Sequence, residues 1–361
     1  MPRSRGQPSP SPTPSRDSHE FGHEDQRRKF LRGFPPRAKA RSRDAALYTA
    51  LYGSRFALQS SDTFARTLGY PRSPLDDLLV FHTVFGKTVA DISLNAVANL
   101  GYAQGRFLKP VFPGTTLSAA SEVIGLKENS NRQTGVVYVR TDGFDETGDK
   151  ALTYVRWVMV RKRDGDAAVG EAHVPKLTDR VSPDGLIAPR ADFGAFDCAA
   201  SGATHLWDDY QPGEKIDHVD GVTVEEAEHM LATRLYQNTA RVHFNQFSEG
   251  KGRFGRRLVY GGHVISIARA LSFNGLANAV SIAAINGGRH VNPLFAGDTV
   301  FAWSQVLDKA ELRKDCGALR LRLVAAKNLP CTEFPDKGAE GQYPENVVLD
   351  FDFWALMPRR A

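Results

Sequence analysis

An amide, a guanidinium and an imidazole lie close together in the segment "RLYQNTARVHFN", which runs from Arg234 to Asn245. The imidazole of His243 is suited to proton transfer, because its unperturbed pKa of about 6.5 lies near neutrality. Asn238 either positions a water molecule with its amide or caps the end of a helix. The segment is therefore a candidate active site, and the alternative is a polar turn that contains Arg241.

A second candidate feature is the turn "VYGG", in which Tyr260, Gly261 and Gly262 precede an apolar helical stretch. Backbone N–H groups of a Gly-Gly turn at a helix N-terminus can stabilise an oxygen that develops negative charge, and the helix dipole assists them. We expect such an oxyanion hole at Gly261 and Gly262. Tyr260 either donates a hydrogen bond in this site or belongs to the core.

These residues lie in the second copy of an internal repeat. "LYTALYGSRFAL" in the first copy resembles "TRLYQNTARVHF" in the second at an offset of 184 residues. "GRFLKPVFPGTTLSAASEVI" from Gly105 resembles "GRHVNPLFAGDTVFAWSQVL" from Gly288 at an offset of 183. A match at Trp157 and Trp354 has an offset of 197, because the second copy carries a longer loop. Two copies of one unit predict a pseudo-twofold arrangement with an isologous contact.

Each copy shows the same order of predicted elements. An Ala-rich helical stretch comes first, and a long apolar helix follows a polar loop. Alternating strand-like runs complete each copy, and in the second they are Ile282–Val291, Thr299–Asp308, Ala318–Ala325 and Val347–Met357. This order predicts an α+β fold in which an antiparallel sheet wraps around a long helix.

The repeat and the composition together predict the domain boundaries. Residues 1–45 are rich in Arg, Pro and Ser and have too few aliphatic residues to fold, so we expect disorder. Residues 46–165 form the first unit (copy one), and residues 205–361 form the second unit (copy two). Residues 166–204 are rich in Gly, Pro, Ala and Asp, which is typical of a linker.

Composition excludes several classes of protein. The net charge of +5 comes largely from the chain ends, which argues against nucleic-acid binding, and no apolar run is long enough to span a membrane. Three separated cysteines indicate a reducing, cytoplasmic setting. The histidines lack metal-ligand spacing and no dinucleotide-binding motif is present, so we expect neither a metal nor a nucleotide cofactor.

From about residue 46 onward the sequence resembles the MaoC-like, hot-dog-fold enoyl-CoA hydratases, and within them the members that hydrate mesaconyl-CoA. The resemblance is carried by "WDDYQPGEKIDHVDG", "LYQNTARVHFN", "FGRRLVYGG" and "NPLFAGDT". It implies a double hot-dog fold, a cytoplasmic homodimer and an acyl-CoA substrate that supplies the only coenzyme. It also implies that His243 is catalytic, whereas Asn238 replaces the family's aspartate and Tyr260 its turn histidine.

In copy one the positions of Asn238 and His243 are occupied by Ser54 and Gln59, and neither can act as a general base. Copy one is therefore expected to be degenerate, with a single active site in copy two. Asp76 lies at the position that corresponds to Tyr260. Asp76 or Asp77 either supplies the missing carboxylate across the two copies or contributes N-terminal charge to its own helix.

The implied reaction is the reversible hydration of mesaconyl-CoA to β-methylmalyl-CoA, which requires a receptor for the second carboxylate of the substrate. Arg241 is one candidate, since a guanidinium binds carboxylates in a bidentate manner, and Arg55 in copy one is its rival. The alternatives are a hot-dog acyl-CoA thioesterase and a non-catalytic acyl-CoA-binding protein that lost its activity with the aspartate.

Overall fold

The computed structural model describes residues 38–39, 42–93, 96–162, 164 and 170–360. Its strands form one antiparallel sheet with the order β1-β3-β4-β5-β2-β7-β10-β9-β8-β6. In chain order they are β1 (Ala38–Lys39), β2 (Ala96–Phe107), β3 (Thr116–Glu128), β4 (Thr134–Phe144), β5 (Lys150–Arg161), β6 (Lys215–Thr223), β7 (Ser281–His290), β8 (Thr299–Arg313), β9 (Cys316–Lys327) and β10 (Val347–Pro358).

The α-helices of the described residues fall into two repeat-related groups and one short linker helix. They are α1 (Ser42–Tyr52), α2 (Ala57–Ser60), α3 (Asp62–Thr67), α4 (Asp77–Lys87), α5 (Cys198–Ser201), α6 (Glu226–Leu235), α7 (Arg241–Phe244), α8 (Gln246–Glu249), α9 (Gly261–Leu271) and α10 (Phe273–Leu276). None of them is long and apolar enough to cross a membrane.

The central helices α4 and α9 are equivalent in the repeat, since both bounds differ by 184 residues. Nearly every side chain of either helix is buried, which explains why both sequences are apolar on all sides. Each helix packs against the strands of its own copy and against its counterpart. The predicted α+β arrangement, a long helix wrapped by an antiparallel sheet in each half, is therefore confirmed.

Equivalent residues of the two copies meet at the contact between the halves, as expected on a twofold axis. The hydroxyl of Tyr236 donates a hydrogen bond to that of Tyr52 over 2.8 Å, and the two residues are 184 positions apart. His82 Nε2 and Ser266 Oγ are 3.1 Å apart and are also separated by 184 positions. The first long strands of the two copies, β2 and β7, pair with each other in the sheet. The predicted isologous contact is thus confirmed.

The described part of the linker, residues 170–204, packs across the sheet and connects both copies. His173 forms a β-bridge with Leu126 on β3 of copy one. Further along, the carbonyl of Val181 accepts a hydrogen bond of 3.1 Å from the indole of Trp354 on β10 of copy two. The segment therefore passes from β3, an outer strand of copy one, to β10, an inner strand of copy two, and it shields part of a second core.

The start of the chain needs one correction. We expected no structure before residue 46, but β1 lies at Ala38–Lys39 and α1 begins at Ser42. Lys39 pairs with Thr116 at the edge of copy one as Thr223 pairs with Thr299 in copy two. A short counterpart of β6 is therefore present, because the edge of β3 offers unpaired backbone groups. The rest of the predicted disordered segment, residues 1–37, lies outside the described residues.

Candidate active site

His243 is held in a defined orientation by the turn that connects α8 to α9. Its Nδ1 lies 2.8 Å from the carbonyl oxygen of Leu258, and a carbonyl only accepts hydrogen bonds. Nδ1 therefore carries the proton, and Nε2 is left with its lone pair. Burial lowers the pKa of His243 to about 4, so the ring is neutral at physiological pH. The ring centroid lies 5.5 Å from that of Tyr260. His243 thus has the state that a general base requires.

Asn238 is buried, with 2% of its surface exposed, between α6 and α7. Its Oδ1 accepts a hydrogen bond of 3.1 Å from the backbone N–H of Ala240. This contact stabilises the turn that leads into α7, which carries His243. The side chain therefore stabilises this turn. That its amide group also holds a water molecule remains a prediction.

The N-terminus of α9 is open at its first turn. Tyr260 precedes the helix and makes no side-chain capping hydrogen bond. The N–H groups of Gly261 and Gly262 have no acceptor within the helix, as at any helix start. A Cβ atom on Gly261 would lie 2.3 Å from Nε2 of His290, and one on Gly262 would lie 2.5 Å from the ring of His82. Both positions require glycine because aromatic rings approach the backbone this closely.

Sequence reasoning missed His290, at the end of β7. Its Nε2 is buried and has no hydrogen-bond partner among the described residues, although it faces Gly261. Burial, together with the smaller effect of the charge of His243, lowers the pKa of His290 to about 4. The signal was present in the repeat, where "GRHVNPLF" lies over "GRFLKPVF" and copy one has Phe107 at this position. A histidine in place of a core phenylalanine should have been identified as a candidate.

The two predicted arginine ligands lie in different surroundings. Arg241 is exposed at the start of α7, two positions before His243. Arg55 donates a hydrogen bond of 2.9 Å to Asn274 and lies over the ring of Phe273 at 4.6 Å. Those partners follow the C-terminus of α9, whereas the candidate oxyanion hole is at its N-terminus, about 16 Å away along the helix. The structure therefore brings Arg241, and not Arg55, to the side of His243.

The acidic pair of copy one does not supply a carboxylate to copy two. Asp76 caps its own helix, since its Oδ1 accepts a hydrogen bond of 2.9 Å from the N–H of Leu78. Asp77 Oδ2 accepts one of 2.7 Å from the N–H of Ile282. Burial raises the pKa of both groups, that of Asp77 to about 8, while the positive charge of Arg269 lowers both. The alternative that we kept open, N-terminal charge on α4, describes Asp76 correctly.

Copy one lacks a base at the position of His243. Gln59 donates a hydrogen bond of 2.8 Å to the carbonyl oxygen of Val280 and thus ties α2 to the start of copy two. Within the described residues, no group of three His, Cys, Asp or Glu side chains is placed to hold a metal ion. The arrangement that can perform proton transfer is therefore the one around His243.

Comparison with known proteins supports this description. A family model described as "Mesaconyl-CoA hydratase" matches residues 56–330. The chain belongs to the mesaconyl-CoA hydratase family. It is 63% identical over 320 residues to the β-methylmalyl-CoA dehydratase of Chloroflexus aurantiacus, covering 88% of this chain and 91% of that protein. It is 60% identical over 318 residues to the mesaconyl-CoA hydratase of Cereibacter sphaeroides, covering 88% and 92%.

Solved structures confirm the fold of this mesaconyl-CoA hydratase family member. The crystal structure of a MaoC domain protein dehydratase from Chloroflexus aurantiacus superposes with a TM-score of 0.89 at 60% identity, over 91% of this chain and 94% of that one. A Mycobacterium tuberculosis protein described as a double hotdog fold superposes with a TM-score of 0.71 at 24% identity, over 90% and 94%. The predicted double hot-dog fold is therefore confirmed. The range matched by the family model, residues 56–330, contains His243, Gly261 and His290.

Proposed function

We propose that the chain catalyses the reversible hydration of mesaconyl-CoA to β-methylmalyl-CoA at a single site in copy two. The observation that carries the proposal is the neutral imidazole of His243 beside the uncapped N-terminus of α9. This pair supplies a base and an oxyanion hole, which are the groups that hydration of an unsaturated thioester needs. The names of the two relatives that are 60% or more identical support the choice of substrate.

The chemistry follows from the orientation of these groups. Nε2 of His243 takes a proton from water as its oxygen forms a bond to the β-carbon of the substrate. The π electrons of the double bond then move towards the thioester, whose oxygen gains negative charge. The N–H groups of Gly261 and Gly262 stabilise that oxygen, and each such donor is worth about 3 kcal/mol in other enzymes. The enolate collapses when its α-carbon takes the proton from the imidazolium of His243, which returns the base to its neutral form, and the sum is the addition of one water molecule.

Two further residues complete the proposed site. His290 faces Gly261 with a free ring nitrogen and is placed to hold the water molecule that His243 activates. Asn238 keeps α7 in place and turns its amide to the same water. An added carboxylate at this position would attract a proton to His243, so Asn238→Asp should lower turnover at neutral pH.

We also propose a cytoplasmic homodimer that requires no cofactor besides the coenzyme A of its substrate. The described cysteines, Cys198, Cys316 and Cys331, are free, which suits a reducing compartment. The hot-dog pairing of the two copies already uses β2 and β7, so a dimer would have to form through another face. Light scattering on the eluting protein would measure its mass directly, and a mass of one chain would contradict the dimer.

The function is tested by adding mesaconyl-CoA to the purified chain and following the absorbance of the conjugated double bond. Its loss, with formation of β-methylmalyl-CoA, is the expected result. A thioesterase would instead release free CoA thiol, which a thiol reagent detects. A non-catalytic binding protein would leave both signals unchanged while still binding the ester in a calorimeter. Either of the last two results would overturn the proposal.

A further inference from the structure

Arg156 on β5 is a buried cation that has no acidic partner among the residues that the structure describes. None of its surface is exposed, and its guanidinium lies over the ring of Phe85 at 4.3 Å. One nitrogen, Nη2, donates a hydrogen bond of 2.9 Å to Thr88 Oγ1. The other two, Nε and Nη1, have no hydrogen-bond partner in the described part of the chain. Because burying an unpaired charge is costly, such a group is expected to have a partner that the isolated chain does not supply.

The guanidinium lies on the same side of the sheet as the candidate active site. Arg156 is directly opposite Tyr102 on β2, so their side chains are cross-strand neighbours. The ring of Tyr102 is 6.1 Å from that of His290, which faces Gly261. On the other side, the charge of Arg156 acts on the hydroxyl of Tyr260, the residue before the open helix. Tyr102 and Tyr260 therefore connect Arg156 with His290 and with the residue that precedes the open helix.

The repeat shows what normally neutralises a guanidinium at this place. Strands β5 and β10 correspond at an offset of 197, so Arg156 corresponds to Phe353. Helices α4 and α9 correspond at 184, so Phe85 corresponds to Arg269. Arg269 lies 6.0 Å from the ring of Phe353, as Arg156 lies over Phe85. Each half thus has one arginine facing one phenylalanine, with the strand and helix positions exchanged.

Only one of the two arginines has carboxylates of its own. In copy one, Asp76 and Asp77 are close enough to Arg269 for their charges to raise its pKa against the effect of burial. Their counterparts in copy two, at the offset of 184, are Tyr260 and Gly261. The aromatic hydroxyl is neutral and glycine has no side chain, so the described residues place no negative charge opposite Arg156. A ligand that brings a carboxylate would restore it.

We propose that Arg156 binds the second, free carboxylate of the substrate through one of its two unpartnered nitrogens, Nε or Nη1. This inference rests on the proposed function and identifies the residue that selects a dicarboxylic thioester over a neutral one. The carboxylate is attached to the β-carbon, which is the atom that water attacks. Binding it therefore fixes the β-carbon relative to His243 while the thioester oxygen meets Gly261. The exposed Arg241 is not required for this selection.

The test compares two substrates that differ at one group. Tiglyl-CoA has a methyl group in place of the free carboxylate of mesaconyl-CoA. Arg156→Leu should lower kcat/KM for mesaconyl-CoA by about a hundredfold or more, since a buried charge loses its partner. The value for tiglyl-CoA should change by less than about threefold, because no ion pair is removed. Arg241→Ala is the matched control and should leave the ratio of the two values unchanged.

A binding measurement separates this inference from the proposed function. Calorimetry with the saturated esters methylsuccinyl-CoA and 2-methylbutanoyl-CoA requires no turnover. The wild-type chain should bind the first at least about tenfold more tightly, and Arg156→Leu should abolish this preference. A preference that persists in Arg156→Leu, or that disappears in Arg241→Ala, would overturn the role of Arg156. Loss of the proposed function alone would appear as carboxylate-selective binding without hydration.

A variant that retains the positive charge keeps the proposal testable if Arg156→Leu does not fold. Circular dichroism and thermal unfolding show whether Arg156→Leu is folded. If it is not, Arg156→Lys provides the same comparison, because an ammonium group keeps the charge but loses the planar set of donors. Its preference for mesaconyl-CoA over tiglyl-CoA should fall at least about fivefold. An unchanged preference in folded Arg156→Lys would contradict the proposal.

Discussion

The N-termini of α4 and α9 occupy equivalent positions in the repeat but differ in charge. A carboxylate caps α4, whereas no side chain caps α9. At α4 the Asp76 carboxylate accepts the N–H of Leu78 and faces a buried guanidinium, so the helix end is closed by the protein itself. At α9 the equivalent Tyr260 makes no cap, and the N–H groups of the first turn remain open. The difference shows how a duplicated unit divides its tasks: one helix end stabilises the fold, and the other is available to a ligand.

The side chains around the two helix ends also differ in their ability to transfer protons. Where copy two has ring nitrogens, copy one has groups that cannot transfer protons: Gln59 in place of His243 and Phe107 in place of His290. The amide nitrogen of Gln59 donates to a backbone carbonyl and its Oε1 is buried without a partner, as is Nε2 of His290. Buried polar atoms without partners occur in both copies of the described chain, so the difference lies in the chemistry of the groups: an imidazole can transfer a proton and an amide cannot.

The largest effect is expected when the proton-transfer group of copy two is removed. His243→Ala should lower turnover of mesaconyl-CoA by about 10²–10⁴-fold, the usual contribution of a positioned proton-transfer group. Steady-state kinetics on a folded variant measures the loss. Gln59→Ala in copy one is the matched control and should retain near-normal turnover. Similar losses in both variants would mean that the two copies share the chemistry.

The second prediction compares how the two buried arginines, Arg269 and Arg156, contribute to stability. Arg269→Leu leaves Asp76 and Asp77 buried without their cation and should lower the free energy of unfolding by about 3 kcal/mol. Arg156→Leu removes a cation that has no acidic partner in the described part of the chain, so the unfolding free energy should change by less than about 1 kcal/mol or increase. Urea denaturation of the ligand-free variants measures both. Equal destabilisation would show that Arg156 is a structural residue like Arg269.

A third test makes copy two resemble copy one at a single ring. His290→Phe should lower turnover about fivefold, since one hydrogen bond to the attacking water is worth about 1 kcal/mol. The reciprocal change, Phe107→His in copy one, should leave turnover unaffected. Steady-state kinetics on the two variants measures these effects. A normal rate for His290→Phe would show that His290 does not take part in the reaction.

The smallest effect concerns pH. A base must be neutral, and burial lowers the pKa of His243 to about 4 from an ordinary value near 6.5. Activity should therefore be lost only as the pH falls towards 4, and kcat/KM at pH 5.5 should stay within about twofold of its value at pH 7.5. A pH profile of the free enzyme checks this. An acidic limb centred near 6.5 would show that His243 is accessible to water or is not the base.

The same burial has a separate consequence for stability. His82 and His263 in the contact between the helices have a pKa lowered to about 3, so the unfolded chain binds protons first as the pH falls below about 6.5. These histidines therefore destabilise the folded state progressively between about pH 6.5 and 3. Asp77 acts in the opposite sense, since its pKa is raised to about 8 and its contribution is lost as the pH rises through that value.

The amino-acid sequence by itself determined the duplication, the two long helices and the sheets that wrap them. These features follow from hydrophobic periodicity and from a constant offset, which are properties of the chain alone. It also identified His243 and the glycines of the open helix, because their types and positions suit one reaction. The sequence offered Arg241 and Arg55 as carboxylate ligands and could not decide between them.

Only the tertiary structure decided which charges are satisfied. Asp76 meets Arg269 across almost 200 positions where the two central helices come together, and Arg156 meets Phe85 across about 70 where α4 packs against the sheet. Periodicity assigns a residue to the inner face but does not say which residue lies opposite. The unpaired state of Arg156 and the free nitrogen of His290 are properties of packing, and packing alone distinguishes the open site from the closed one.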